Sequence, residues 1–325
     1  MGVNSVIFAN TRAYAALGSM LTAERYQRLL DCANIAELKK CLTEFGFEGE
    51  TTDEMFSRAL DGIYAYLNEC SPIAPVAEAL LKKNDYHNAK VMIKCKYVRR
   101  EITPELLYPY GNIDTAKLKE YVLNDDYALL PLPMNKALSE IDLRFSQGER
   151  NGKLIDCLLN KAMYEDIFSV LGNRYGDMKD VFRAEADFAN LSSALRIRKN
   201  GLPPSTLREE FIEGGKIQFA MLSLLLDCSP ERAKDAFMFS EYKKFILSAL
   251  EETQNPALTD YERQSDDFII SLLRSYKNQN SHYMMFYGYV LAKLYELKNV
   301  RIICGGVKAG TPKDKIKAKL RESYV

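Results

Sequence analysis

The sequence is short of several residue types, and each shortage excludes a class of protein. Its 325 residues include no tryptophan, 17 glycines, 11 prolines and two histidines. Few glycines and prolines favour long regular elements over the many turns of an all-β protein. The histidines, His87 and His282, lie too far apart for a helical metal pair such as H-E-x-x-H. Seven cysteines without a C-x-x-C pair indicate reduced thiols rather than a disulfide framework or a zinc site.

Neither an excess of one charge nor a long apolar run is present. The 44 basic and 44 acidic side chains balance, so the electrostatic signature of nucleic-acid binding is missing. The longest uncharged window, 278–292, contains Asn, Gln, Ser and His and falls short of the ~20 apolar residues of a bilayer span. No basic flank precedes an apolar run at the N-terminus, as it would in a signal peptide. We therefore expect no nucleic-acid partner, no direct membrane span, and at most peripheral membrane association.

Helical periodicity dominates what is present. Apolar residues recur at intervals of three and four from Leu154 to Leu171 and again within 53–70. Ser265 followed by two aspartates predicts an N-cap, and an unbroken helix from there to Leu297 would be about 50 Å long. No stretch of four to eight residues shows strand alternation between turn signals. The sequence therefore predicts an all-α protein.

One pattern occurs four times along the chain. It combines an asparagine, basic residues after it, and a Thr or Pro that starts the next helix. The four asparagines are Asn10, Asn88, Asn190 and Asn299. The following helix starts lie 12, 15, 13 and 12 residues later, at Thr22, Thr103, Pro203 and Thr311. Basic residues suit the end of a helix and Thr-Pro suits the start of one. The end of one helix and the start of the next therefore account for the pattern by themselves.

The spacing of these junctions suggests a domain organisation. The asparagines are 78, 102 and 109 residues apart, which is too irregular for a short-period solenoid. It fits three similar helical domains, 1–87, 88–189 and 190–325, with the C-terminal segment closing on the first domain. A threefold repeat constrains the symmetry of its partners. Basic residues of the junctions, namely Lys90, Arg196 and Arg301, are the candidates for a partner interface.

Several patterns that could carry chemistry lack an essential part. Residues 305–310 have the G-x-x-x-x-G spacing of a phosphate loop, but the Lys after the second Gly is missing. The pairs at Asp125 and Asp266 lack the third Asp that all-α prenyl-diphosphate enzymes place four positions after the first. The histidines and cysteines are not organised as a catalytic triad. We expect no catalytic residue, no cofactor and no metal site.

Two segments leave alternatives open. The stretch from Tyr276 to Tyr295 carries six aromatic residues, which suits either core packing or a partner surface. The stretch 307–325 has six basic and two acidic residues. It is either a solvated helix or a surface that attracts anionic headgroups or an acidic partner.

Taken together, the junctions resemble a known family. The motifs are Asn10-Thr-Arg12, Asp187-Phe-Ala-Asn190 and Asn299-Val-Arg301, together with the helix starts that follow them. They are similar to those of the C subunit of archaeal- and bacterial-type V-type (A/V-type) ATPases, the counterpart of the d subunit of eukaryotic V-ATPases. The resemblance extends from about residue 4 to residue 320. The first junction departs from the pattern by having one basic residue, and the third has Ser192 in place of a basic residue.

The resemblance implies a non-catalytic rotor subunit. It implies three helical domains around a pseudo-threefold axis, arranged as a funnel. The partners would be the central-stalk subunits, received in the funnel, and the membrane ring of proteolipid subunits below it. The chain would then be a socket in ATP-driven ion transport or ATP synthesis, on the cytoplasmic face of the membrane. Proton or sodium specificity, the direction of operation, the ring stoichiometry and the contact residues do not follow from the sequence.

A second hypothesis belongs to another class. Long helices also form grooves that bind peptides, so an unrelated all-α scaffold for peptide or helical partners is the alternative. A socket on a ring would have three similar faces, whereas a peptide scaffold would have one groove. An all-α enzyme is a third possibility, disfavoured by the incomplete motifs.

Overall fold

Helices form all the regular structure of the residues that the computed structural model describes, 3–251 and 258–325. The prediction of an all-α protein is confirmed. The α-helices are α1 (Val3–Ala16), α2 (Ala23–Asp31), α3 (Ile35–Glu44), α4 (Thr52–Cys70), α5 (Ala74–Val98), α6 (Thr115–Leu123), α7 (Leu132–Ser146), α8 (Gly152–Leu171), α9 (Gly176–Asn200), α10 (Ser205–Glu210), α11 (Phe219–Leu224), α12 (Pro230–Ala236), α13 (Lys243–Glu251), α14 (Leu258–Arg274), α15 (Met284–Lys308) and α16 (Lys313–Lys317). Short 3₁₀ turns lie at Leu17–Ser19 and Pro104–Leu106.

The described residues fall into two compact units. One unit consists of the described residues at the two ends of the chain, within Met1–Ala74 and Gln254–Val325. The other is the middle of the chain, Pro75–Thr253. The boundaries drawn from the sequence at 87/88 and 189/190 fall inside α5 and α9. The division into three domains stays a prediction.

The unit made from the chain ends is built around α15. This helix packs against α1, α2, α3, α4, α14 and α16. Its first turns are apolar on all sides and almost completely buried, with Phe286 and Tyr287 inaccessible to solvent. A helix that is apolar all round is expected where neighbours cover every face. The aromatic segment is thus largely core, and Phe286 stacks on Tyr66 with ring centroids 5.3 Å apart.

In the middle unit, α8 packs against α7 and α9, and a buried ion pair joins α8 to α5. Lys82 Nζ lies 3.0 Å from Asp166 Oδ2, and both side chains are less than a tenth exposed. The Tyr86 hydroxyl donates to the same oxygen at 3.2 Å. Removing one partner of such a pair leaves an uncompensated buried charge, so arrangements of α5 and α8 that separate the two groups are disfavoured.

Two of the predicted helices are confirmed with small changes at their ends. The segment 53–70 is α4, and the Thr51 hydroxyl caps it by accepting from Glu54 N–H at 3.1 Å. The apolar stripe after Leu154 is α8.

The predicted N-cap at Ser265 was wrong, and the helix that would have extended unbroken to Leu297 is divided in two. Ser265 lies inside α14, and the chain leaves the helix at 275–283 before α15 begins. The break releases the carbonyl groups of Asn280 and His282. The Asn10 amide donates to both, at 2.7 and 2.9 Å. A continuous helix would have used such carbonyls in its own i to i−4 ladder. The tertiary contact therefore accounts for a break that the periodicity does not show.

Candidate partner interface

The shared geometry of the repeated junction is a clamp made by its asparagine. Asn190 is almost fully buried in α9, and its amide Nδ2 donates to the carbonyl of Ile212 at 2.8 Å. The N–H of Ile212 donates back to Asn190 Oδ1 at 2.8 Å. On α5, Asn88 exchanges the same two bonds with Tyr108, both at 2.8 Å. One buried side chain therefore holds the segment that returns after each helix.

The third clamp lies on α15. Asn299 Nδ2 donates to the Arg321 carbonyl at 3.0 Å, and Arg321 N–H donates to Asn299 Oδ1 at 2.8 Å. The clamped residue follows its asparagine by 20 positions at Asn88 and by 22 at Asn190 and Asn299. Asn10 differs, because it binds the 275–283 connection instead and its buried Oδ1 has no hydrogen-bond partner among the described residues.

A carboxylate three residues before the asparagine makes a second attachment. Asp187 accepts from the N–H groups of Lys216 and Ile217 at 2.8 and 3.0 Å. In the Asn88 clamp, Asp85 likewise accepts from the two successive N–H groups that follow Gly111, at 3.2 and 3.1 Å. Burial raises the pKa of both carboxyl groups, and the N–H donors act in the opposite direction.

Glycine is required where the returning segment meets these carboxylates. A Cβ on Gly111 would lie 2.2 Å from Asp85 Oδ1, and one on Gly215 would lie 2.1 Å from Asp187 Oδ1. Both distances are far inside van der Waals contact, and the carboxylates are themselves held by hydrogen bonds. The same residue type therefore appears at the same place in both clamps for a steric reason.

At α15 the N-terminal part of the chain takes part in the clamp. The acidic residue at this position is Glu296, which accepts from Leu21 N–H at 2.5 Å. The Ser323 hydroxyl donates to the Leu21 carbonyl at 2.9 Å. Leu21 is thus bound on both sides by residues from the far end of the chain.

The three long helices also end in the same way. Each has 25 residues, and the residue 11 positions after the asparagine has a left-handed backbone. These residues are Arg99, Gly201 and Gly310, with φ of 54°, 59° and 64°. The next N–H in each case donates back to a helix carbonyl, at 2.9, 3.0 and 2.9 Å. Each end is a Schellman motif, so the repeat holds to the level of single backbone bonds.

The predicted interface residues have different environments. Lys90 and Arg301 occupy the same position, two residues after their asparagines, whereas Arg196 is one helical turn further along. Lys90 is partly buried and donates to Asn160, and burial lowers the pKa of its ammonium to about 8. Arg301 is exposed, with its guanidinium 5.4 Å from the centre of the Phe56 ring.

Arg196 has an internal partner. It forms an ion pair with Glu210, whose side chain is almost fully buried and also pairs with Lys153. Burial alone would raise the pKa of Glu210, and the two cations lower it overall. Of the three predicted residues, Arg301 is the one whose charge is open to a partner.

Comparison with known proteins identifies the family. The family described as ATP synthase (C/AC39) subunit matches residues 9–319, nearly the whole chain. The chain belongs to this family.

Named relatives of this C/AC39 chain agree with the match. The C subunit of the A-type ATP synthase of Halobacterium salinarum is 32% identical over 259 residues, which are 74% of this chain and 72% of the relative. The C subunit of the V-type ATP synthase of Thermus thermophilus is 25% identical over 235 residues, 66% of this chain and 70% of the relative. The A-type C subunit of Thermococcus gammatolerans is 22% identical over 341 residues, 97% and 89% of the two chains.

The structure of this C/AC39 chain explains why the rejected motifs occur. Residues 305–310 form the last turn and the Schellman end of α15, so their N–H groups serve the helix. Asp266 is an ion-pair partner of Lys298 and Arg321 rather than a helix cap.

In the parts of the chain that the structure describes, no group of three His, Cys, Asp or Glu side chains is placed to hold a metal ion. None of the helices described there combines the length and the apolar character of a bilayer span.

Exposed apolar side chains were missed by the sequence analysis. Most of them lie in three places: on α1 (Ile7, Phe8 and Tyr14), around the α6–α7 connection (Leu123, Leu129 and Leu132) and between α12 and α13 (Met238 and Phe239), while Val98, Leu143 and Leu202 are exposed elsewhere. Phe239 is 97% exposed. Within α1 the exposed Ile7 and Tyr14 follow i, i+7 spacing, a signal the sequence did contain. The other two sites are connections, where periodicity carries no information.

Proposed function

We propose that this chain is the non-catalytic socket of a V-type (A/V-type) rotary ATPase, joining the central stalk to the membrane ring of proteolipid subunits. Torque from ATP hydrolysis would pass through the chain to the ring, and in the reverse direction during ATP synthesis. Family membership supports the assignment to such a complex. The chain would lie at the cytoplasmic face of the membrane as a peripheral component, with its partners among the other subunits.

The observation that carries the proposal is the triple repetition of the clamp. α5, α9 and α15 share their length, their clamping asparagine, the carboxylate before it and the left-handed end after it. Three equivalent helices suit a component arranged about a pseudo-threefold axis, as the funnel prediction requires. A scaffold built around one groove needs no such repetition.

The clamps would also give the stiffness that torque transmission requires. Each ties a returning segment to a long helix by two hydrogen bonds between an asparagine side chain and the backbone of that segment, and two of the three add a pair of N–H bonds to a carboxylate. Buried and fully satisfied hydrogen-bond networks resist local opening, because any opening leaves polar groups unpaired. Each repeat would therefore deform little when torque passes through it.

The interface would be shallow and distributed. Arg301 offers one open charge, and most of the exposed apolar residues lie in three separate small groups. A ring need not have threefold symmetry, so a fitted pocket could not be matched at every contact. Several weak contacts of similar kind accommodate such a mismatch better than one strong contact.

The first test is complex formation with the two central-stalk subunits of the same organism. We expect a stable complex with one copy of each subunit, measured by size exclusion with light scattering. A Phe219→Ala variant separates this proposal from the peptide-scaffold alternative. Phe219 lines a cleft of about 610 Å³ with Phe168 and Phe211, the groove that a peptide would occupy.

The outcomes of this test are distinct. Under the socket proposal the Phe219→Ala variant forms the complex as the wild type does. If the complex forms but is lost in the variant, groove binding is the better description. If no complex forms from low to high salt, the socket proposal fails.

A further inference from the structure

A basic cleft lies in the unit formed by the two chain ends. It is about 530 Å³ in volume and runs between the second half of α15 and the segment 311–321. Ile302 and Ile316 contribute apolar walls. Four cationic side chains line it as well: Lys298, Arg301, Lys319 and Arg321. The volume is in the range of pockets that hold small molecules.

Positive charge exceeds negative charge in this cleft. Asp266 is shared by two cations, since its Oδ2 lies 2.6 Å from Lys298 Nζ and 2.7 Å from Arg321 Nε. Glu262 is the acidic residue in the lining. Four cations therefore face two carboxylates, which leaves two positive charges without compensation.

The uncompensated cations are the accessible ones. Arg301 and Lys319 are both exposed, and neither forms an ion pair with any residue in 3–251 or 258–325. The Arg301 guanidinium lies 5.4 Å from the centre of the Phe56 ring, within the range of a cation–π contact. Among the exposed lysines of the two segments that line the cleft, Lys313 is paired with Asp31 at 3.0 Å, whereas Lys308, Lys315 and Lys317 form no ion pair within the described residues. They add to the positive potential that would draw an anion towards it.

We propose that this cleft binds a phosphate-bearing anion, with Arg301 and Lys319 as its direct ligands. A guanidinium fork and an ammonium can together supply charge-assisted hydrogen bonds to several phosphate oxygens. The apolar walls at Ile302 and Ile316 suit the organic part of a phosphate ester. Either a lipid headgroup or a soluble phosphate compound would satisfy this chemistry.

This site differs from a phosphate loop. The N–H groups at 305–310 are engaged in α15 and its Schellman end, so they cannot cradle a phosphate. The C-terminal end of a helix also disfavours an anion, although that effect is weaker than charge-assisted hydrogen bonds from two cations. Side chains alone would therefore hold the ligand, which predicts moderate affinity and strong salt dependence.

The test uses the full chain and two kinds of probe. Inorganic phosphate is titrated by calorimetry at low ionic strength, and co-sedimentation is measured with vesicles of phosphatidylglycerol or of phosphatidylcholine. The variants are Arg301→Gln, Lys319→Gln and the two together. Lys234→Gln is the matched control, because Lys234 is an exposed lysine on α12 and the change in charge is the same. Circular dichroism establishes that each variant is folded.

We expect phosphate binding that weakens about tenfold in the double variant and is unchanged in Lys234→Gln. Sedimentation with phosphatidylglycerol alone, competed by phosphate, identifies a lipid headgroup as the source. Phosphate binding without sedimentation identifies a soluble phosphate compound. Equal binding by the wild type and the double variant overturns the proposal. So does binding of a hexaglutamate peptide through these residues without binding of either probe, which would identify an acidic protein partner.

Discussion

At the scale of single residues, Arg99 occupies a backbone position that the two equivalent helices give to glycine. Its φ of 54° matches those of Gly201 and Gly310. A side chain with a Cβ is strained there, whereas glycine adopts this conformation without cost. Arg99 is exposed, and none of its side-chain atoms makes a hydrogen bond or ion pair within the described residues.

We predict that Arg99→Gly stabilises the protein by about 0.5–1 kcal/mol. The removed strain exceeds the entropy that glycine adds to the unfolded chain. Urea unfolding measures the change, and Gly201→Arg, the reverse exchange at the equivalent position, should destabilise by about 1 kcal/mol. Arg99→Gly with lower stability would mean that the Arg99 side chain makes a contact worth more than the strain.

Lys90 gives a second prediction at this scale, on pH dependence. Burial lowers the pKa of Lys90 from 10.5 to about 8, so the folded protein loses this proton before the unfolded chain does. Between those values the unfolded state binds one more proton, and folding is therefore favoured increasingly as pH rises.

We expect the stability of the wild type relative to Lys90→Met to rise by about 2–3 kcal/mol between pH 8 and pH 10.5. Using the difference between the two proteins cancels the titration of the other lysines, tyrosines and cysteines. Chemical unfolding at a series of pH values measures it. A difference that stays constant over this range would show that Lys90 keeps its charge in the folded protein.

At the scale of elements, the clamp is the unit that joins a long helix to the segment returning after it. Replacing Asn190 removes two buried hydrogen bonds and leaves the N–H and carbonyl of Ile212 unpaired. Each unpaired buried group costs about 1–3 kcal/mol. The clamp should therefore contribute far more than its two bonds would on the surface.

We predict that Asn190→Ala lowers the free energy of unfolding by about 2–4 kcal/mol. Asn200→Ala is the control, since Asn200 is exposed at the end of the same helix and should change stability by less than about 0.5 kcal/mol. Hydrogen exchange should locate the weakening at Ile212 and its neighbours. Equal effects of the two substitutions would contradict the clamp.

At the scale of the whole molecule, a distributed interface should tolerate the loss of one contact. We predict that Arg301→Glu, made singly, weakens assembly with the ring and the stalk by about tenfold or less and does not abolish it. The same applies to Arg196→Glu and Lys90→Glu where the variant remains folded. The internal pairing of Arg196 and the burial of Lys90 mean that these two should act more on stability than on binding.

The measurement is reconstitution of the complex with each variant, read by co-purification and by ATP-driven ion transport. Lys234→Glu is the control for a change of charge away from the junctions. A single reversal that abolished assembly in a folded protein would contradict a distributed interface. It would point to one dominant contact instead.

Much of this protein could be predicted from local signals in the sequence. The all-α class followed from periodicity and from few glycines and prolines, and α4 and α8 followed from their apolar stripes. The repeated asparagines identified the positions of three clamps. The resemblance to the family followed from the residue types and the order of these junctions.

The tertiary structure decided what depends on residues far apart in the chain. The helical pattern of the sequence does not predict the break between α14 and α15. Asn10, about 270 positions earlier in the chain, donates to two carbonyl groups in this break. The partners of the clamping asparagines and of Arg196 likewise come from segments that return after the helix. The partner of Leu21 comes from the other end of the chain. Periodicity reports which face of a helix is apolar. Which carbonyl or cation a buried side chain meets depends on packing across the fold, and the sequence by itself does not contain that information in local form.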